Sequence, residues 1–243
     1  MDRQHLRFVA HIDILGMSAI MEHDAEEAWG MLSDLVAARD HIMNLGMVNL
    51  HSKKAIAASQ VIQSATFSDT IILFTKGASD SELRYMIILL GEIFHKALYR
   101  CVPIRAGLSC GKFFFNTELS MYAGPALIEA YRIGEAAQWI GISLADSIQQ
   151  QANKLDMKSG ASDIIVKWPV PVKNTGTEQR SVINWPAIFA HDLKITPPIS
   201  VAHFYQAFER SFGPFSSLPA EVQAKYINTV NFMNQQLALH ASA

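Results

Sequence analysis

Two aspartates, each at the end of an apolar run, are the residues of this chain whose type and spacing point most directly to chemistry. Asp13 lies near the end of F-V-A-H-I-D-I-L-G, Phe8 to Gly16, and Asp69 interrupts T-F-S-D-T-I-I-L-F, Thr66 to Phe74, at a tight turn between two strands. A carboxylate at the end of a buried strand is costly unless it is paired or ligates a cation. One reading is that Asp13 caps the following helix and Asp69 serves a turn. The other is that the pair holds a divalent metal, since a few hard oxygen ligands are what a magnesium ion carrying a nucleoside triphosphate takes.

The elements that must position them follow from periodicity. Leu6, Phe8, Ala10 and Ile12 alternate with Arg7, Val9, His11 and Asp13, so the second set forms the working face of a strand. After Gly16 helical spacing sets in, with Trp29, Leu32, Leu35, Val36 and Ile42 on the inward face. Residues 46–58 read as an irregular loop, and residues 59–68 with 70–75 as a hairpin around Ser68 and Asp69. Ser79 or Asp80 caps a strongly apolar helix over Leu83 to Tyr99. Residues 102–109 form the next strand, with Pro103 at its beginning, and residues 112–116 return as a short one.

From Gly124 to Gln151 a long helical stretch is expected, broken near Gly141, with Leu127, Ile128, Tyr131, Ala137 and Ile140 turned inward. A strand follows at Asp163 to Val166. The Pro-rich segment Pro169 to Asn184 reads as an excursion, with Val182 to Trp185 re-entering the sheet. Two helices are expected from Val201 onward, separated by Gly213 to Pro219, with a frayed end. The element order is that of a ferredoxin-like α/β (α+β) plan with a central, mainly antiparallel sheet and a C-terminal helical extension.

Composition narrows the classes. The 243 residues suffice for one large domain, and a hydrophobic content of 50% builds a core. A net charge of −2, from 20 basic and 22 acidic residues, gives no general field for nucleic acid or an anionic membrane. Two cysteines, Cys101 and Cys110, with no histidine placed to complete a zinc site, read as reduced thiols. No apolar signal region opens the sequence, and its longest apolar run, Tyr85 to Leu90, is too short to span a bilayer. A cytoplasmic protein with neither nucleic-acid nor membrane partner is expected.

Taken together, three segments resemble the class III nucleotidyl cyclases. F-V-A-H-I-D-I-L-G is similar to that family's first metal strand. T-F-S-D-T-I, Thr66 to Ile71, is similar to the hairpin bearing its second metal aspartate, with Ser68 where glycine is usual. I-R-A-G-L-S-C-G, Ile104 to Gly111, followed by Y-A-G-P-A-L-I-E-A-Y-R, Tyr122 to Arg132, supplies the third. The resemblance runs from about residue 6 to 170 and implies a catalytic domain over residues 1–190, with residues 191–243 as a helical extension packed on it.

The departures carry information too. The family's base-reading lysine or glutamate, four residues before the second metal aspartate, is here Ala65, and its partner, three residues before Gly124, is Met121. Neither can make purine contacts. The transition-state asparagine falls on Ile128, while the arginine four residues later is kept as Arg132. This pattern looks like the pyrimidine (uridylate or cytidylate) cyclases of bacterial Pycsar anti-phage defence, whose cyclic UMP or cyclic CMP activates a separate effector.

The resemblance implies attack of the ribose 3′-hydroxyl of UTP or CTP on the α-phosphate. Two Mn²⁺ or Mg²⁺ ions would be held by Asp13, Asp69 and the Ile14 carbonyl. Amides from Leu15, Gly16, Met17 and Ser18 would receive phosphate oxygens, and Arg132 would neutralise the transferring phosphate. Gln63, on the face of Ala65, and His11 are the base-side candidates, with His5 as a further one; Lys112 and Lys173 are candidates for the terminal phosphates. Arg105 is expected to pair structurally at its strand. In the family the site lies between two chains, so a homodimer is implied. A non-catalytic nucleotide-binding or dimerisation module, and a purine cyclase with an unusual pocket, are the competing readings.

Overall fold

The computed structural model describes residues 5–44, 46–48, 55–174, 176–189 and 197–241. Its centre is β1, Leu6–Ile14, which pairs antiparallel on one side with β5, Thr70–Thr75, and on the other with β6, Ile104–Lys112. The alternation in β1 separates two cores. Phe8, Ala10, Ile12 and Ile14 enter the main one with residues of α2, Ala25–Asn44, and α3, Asp80–Tyr99. Val9, on the other face, packs with Phe74, Phe113 and Ala126 in a smaller one.

The seven-stranded sheet has the order β12-β13-β9-β6-β1-β5-β4, where β4 is Ile62–Phe67, β9 Ile142–Leu144, β12 Ile165–Val172 and β13 Gly176–Ile183, with β10 (Lys158–Ser159) and β11 (Ser162–Asp163) paired apart from it. Strands β6-β1-β5-β4 with α2 and α3 make the ferredoxin-like unit expected. The β4–β5 hairpin turns at Ser68, whose φ of 54° is a conformation that glycine adopts without strain. Ser79 caps α3 through a reciprocal box with Glu82: Ser79 N donates to Glu82 Oε2 at 2.9 Å.

Several expectations need correction. The helical stretch after Gly16 is two helices, α1 (Met17–His23) and α2, divided at Asp24, and Trp29 is 66% exposed while Ala28 faces the core. Residues 46–48 and 55–57 are not an irregular loop but a two-stranded ladder, β2 with β3; residues 45 and 49–54 between and beside them lie outside the described residues. The long helix from Gly124 ends at Ala136. It gives way to β9, which runs parallel to β6, and then to α5, Asp146–Lys154. Residues 169–172 and 176–183 are no excursion, because β12 and β13 pair along their whole length. The prolines at 169 and 171 are tolerated because β12 is the outermost strand.

The C-terminal region holds α7 (Val201–Tyr205), α8 (Glu209–Phe212) and α9 (Ala220–Ala241), after the short α6 (Trp185–Ile188). Phe232 of α9 enters the main core among Trp139, Trp168 and Trp185, so this region packs on the sheet. No helix among the described residues is long and apolar enough to cross a membrane.

Candidate active site

Helix α4, Pro125–Ala136, lies across the working face of β1 and β6. The sheet beneath it is nearly bare: Gly107, Ser109 and Gly111 of β6 stand opposite His11, Val9 and Arg7. Correspondingly, the buried stripe of α4 is Ala126, Ala130 and Gly134. A methyl on Gly107 would lie 2.1 Å from the Ala130 carbonyl oxygen. Only small residues fit this seam, which is why Ile128 and Tyr131, expected inside, are 50% and 48% exposed.

At the end of the same face Asp13 opposes Arg105 across the β1–β6 ladder and Thr70 across β1–β5. Arg105 Nε donates to Asp13 Oδ2 at 2.8 Å, and the buried guanidinium also bonds the Glu135 carboxylate and, at 3.0 Å, its main-chain oxygen. Glu135 pairs in turn with Lys173. The structural pairing expected of Arg105 is present, but its partner is Asp13 itself. The pairing depends on register, which the sequence does not display, and no spacing or motif marks Glu135 as a member of the network.

Burial pushes the Asp13 carboxyl above its ordinary range; Arg105 opposes this, and the negative charges of Asp69 and Glu135 add to it. Burial would also raise Glu135, yet Lys173 and Arg105 hold it below the usual value. His11 is lowered by burial and by Arg105, which keeps its imidazole neutral near pH 7.

Asp69 stands on the turn beside the end of β1, where Ile14 N donates to the Asp69 carbonyl at 3.3 Å. No side chain among the described residues pairs with the Asp69 carboxylate. No group of three or more His, Cys, Asp or Glu converges as a metal cage among the described residues. The site therefore offers two neighbouring carboxylates of like charge, one of them without a compensating cation. That donor set fits a hard divalent ion whose remaining ligands are main-chain, water or phosphate oxygens.

Of the phosphate-loop amides, Leu15 is to be struck out, because its N–H donates to the Pro103 carbonyl at 2.8 Å. Gly16 takes φ 78° as it enters α1; Met17 is buried and Ser18 exposed.

The other predicted residues line the face toward α4. Ala65 of β4 faces Ile72 of β5, which faces His11 of β1, so the three form one row. His11, Ile72, Phe67, Thr70, Leu127, Ile128 and Tyr131 enclose a cavity of about 340 Å³, and the Tyr131 ring stands edge-on to His11 at 5.2 Å. Gln63 lies one row away, opposite Phe74, with a buried Oε1 that has no partner. Arg132 and Ile128 border a second cavity of about 570 Å³ with Gly124, Pro125, Glu129, Ile133 and Arg180. Neither aspartate borders it, so one chain does not bring Arg132 to the Asp13–Asp69 end. Met121, on β8 (Met121–Ala123) of the hairpin with β7 (Phe114–Asn116), is 61% exposed.

No protein-family model matches the chain, and no curated protein matches it. Solved structures do. The catalytic core of a rhodopsin-guanylyl cyclase with converted specificity, in complex with ATPαS, superposes with a TM-score of 0.53 at 16% identity, over 74% of this chain and 95% of that one. A bacterial light-regulated adenylyl cyclase gives 0.51 at 10% identity, over 85% and 97%. The fold is that of these cyclase catalytic domains.

Proposed function

We propose that this chain is a metal-dependent pyrimidine nucleotide cyclase that converts UTP, or as second choice CTP, to the 3′,5′-cyclic monophosphate and pyrophosphate. The observation that carries the reading is the pair of neighbouring carboxylates, Asp13 and Asp69, at adjacent strand ends of a sheet with the cyclase fold. Supporting the choice of base, Ala65 and Met121 occupy the positions of the purine readers, and Ala65 lies in line with His11 beside a cavity of about 340 Å³.

In the reaction a bond forms between the ribose 3′-oxygen and the α-phosphorus while the bond from that phosphorus to the bridging oxygen breaks. The hydroxyl proton passes to solvent and pyrophosphate leaves. Asp13 and Asp69, with the Ile14 carbonyl, would hold Mg²⁺ or Mn²⁺; when bound, such ions lower the hydroxyl pKa and neutralise the triphosphate. Gly16, Met17 and Ser18 cradle phosphate oxygens, and Arg105 and Lys173 stand beside the triphosphate end. Arg132 acts on the transferring phosphate from the partner subunit of a homodimer, a reading supported by its separation from the aspartates within one chain. By resemblance, the cyclic product is a second messenger in antiviral defence, read by a separate effector.

Ile128 favours a second reading, a nucleotide-binding module without turnover, because it presents no polar group beside Arg132. Incubation of the purified protein with each of the four ribonucleoside triphosphates and Mn²⁺ or Mg²⁺, with products resolved by mass, separates the cases. A cyclic pyrimidine monophosphate is expected. A cyclic purine product would overturn the base assignment, and no product from a folded dimer would favour the binding module.

A further inference from the structure

The C-terminal region touches the catalytic end of the sheet in two independent places. The first is Phe212, whose ring packs on the loop after β1: a methyl on Gly16 would lie 2.9 Å from Phe212 Cε1. The second is the first half of α9, which is bonded to the loop that follows α4. Asn228 Nδ2 donates to the Gln138 carbonyl at 2.8 Å, and Ile140 N donates to Thr229 Oγ1 at 2.8 Å.

Lys225 precedes Asn228 and Thr229 by three and four positions, so all three share one helix face. The segment that face meets is joined to the end of β12, where Lys173 N donates to the Ala136 carbonyl at 2.9 Å and Gln138 N to the Pro171 carbonyl at 2.8 Å. One residue earlier, Glu135 bonds both Arg105 and Lys173. Lys225 is thereby carried to the edge where Arg105 and Lys173 gather.

Its ammonium makes no hydrogen bond or ion pair among the described residues. Burial, then the positive charges of Arg105 and Lys173, depress its pKa against the opposing pull of the Glu221 and Glu135 carboxylates. A half-buried cation with no hydrogen-bonded partner, whose neighbours are two cations as well as the Glu221 and Glu135 carboxylates, gains little from folding alone. It becomes favourable when a multiply charged anion enters.

We infer that the C-terminal region completes the substrate site: Lys225 binds the terminal phosphates of the nucleoside triphosphate, and Phe212 seats the Gly16 loop against them. This inference rests on the nucleotide cyclase reading and adds to it a substrate-binding residue from outside the stretch that resembles the cyclases. The charge has a use that stability does not supply.

Lys225→Met and Lys225→Arg test it, with magnesium tripolyphosphate as a probe that carries no base. By calorimetry, Lys225→Met is expected to bind the probe about tenfold or more weakly than the parent, the loss of one charge-assisted contact, and Lys225→Arg to recover most of that loss. With the preferred triphosphate, KM rises and inhibition by pyrophosphate weakens to a similar degree. The melting temperature of Lys225→Met does not fall, because the charge removed is half-buried and held by no direct hydrogen bond or ion pair. Unchanged tripolyphosphate binding, or a destabilised Lys225→Met protein, overturns the inference. A parent protein that turns over no triphosphate sinks the cyclase reading instead, while the tripolyphosphate measurement still decides the role of Lys225.

Discussion

Arg105 and Asp13 face each other across adjacent strands, guanidinium nitrogen to carboxylate oxygen at 2.8 Å, and the same guanidinium is shared with Glu135. Removing one member of a buried, hydrogen-bonded ion network leaves the others uncompensated, at a cost of about 3–5 kcal/mol. For a chain of this size Arg105→Ala should lower the melting temperature by roughly 6–15 °C. The double variant Arg105→Ala with Asp13→Asn should recover part of that loss, since it also removes a stranded carboxylate. Calorimetric melting of the parent, both single variants and the double variant checks the coupling.

Asp69 makes no such structural pair among the described residues, so its replacement should separate function from folding. Asp69→Asn is expected to melt within about 2 °C of the parent, in the range of ordinary surface changes. On the proposed reading Mn²⁺ is expected to raise the melting temperature of the parent, and Asp69→Asn should lose both that rise and turnover. A well-folded Asp69→Asn protein with full turnover would remove Asp69 from the metal site.

The seam between α4 and the sheet depends on one missing methyl. At Gly107 a Cβ would meet the Ala130 carbonyl oxygen at 2.1 Å, and a backbone carbonyl cannot step aside as a flexible side chain can. Gly107→Ala should cost about 3 kcal/mol or more, at the upper end of overpacking effects. Because Glu135 and Arg132 ride on α4, activity should fall together with the melting temperature. Gly30, where a Cβ meets nothing within 4 Å, is the control position.

How much of this could be read from the residues alone varied with local signal. β1 and the Asp69 hairpin announce themselves by strict alternation, and α3 by a capping residue before a long apolar face. β9 does not: its three residues Ile142–Leu144 are all buried and sit in an apolar run between two helices, so no period distinguishes it from either. β12 was hidden by its prolines, which an edge strand accepts. The two aspartates were visible as strand-end carboxylates. The Arg105 contact was not, because it depends on which residue of β6 stands opposite Asp13. Lys225 gave no signal at all, since one lysine on an exposed-looking helix resembles any other.

Cys110 provides a pH prediction. Burial, with the nearby Glu129 carboxylate, raises its thiol to about 11. At pH 8 the thiolate is then scarce, and alkylation of native Cys110 should be slower than that of an unfolded control by about two orders of magnitude. In linkage terms the unfolded chain loses this proton first, so the thiol's contribution to stability is intact below about 8.5 and declines as pH rises toward 11. Mass spectrometry of iodoacetamide labelling at pH 8 and 10 follows the first effect, and urea midpoints over the same range follow the second.

The contact between Phe212 and Gly16 also bears on when during synthesis the site is finished. The loop after β1 is synthesised well before the ring that rests on it, which arrives only after the strands of the seven-stranded sheet have been made. A nascent chain halted before Phe212 can pair its strands but lacks the cover of that loop. Packing of that loop is thus tied to synthesis of Phe212, and protein fragments that stop short of this residue are expected to fold as sheets with the loop uncovered.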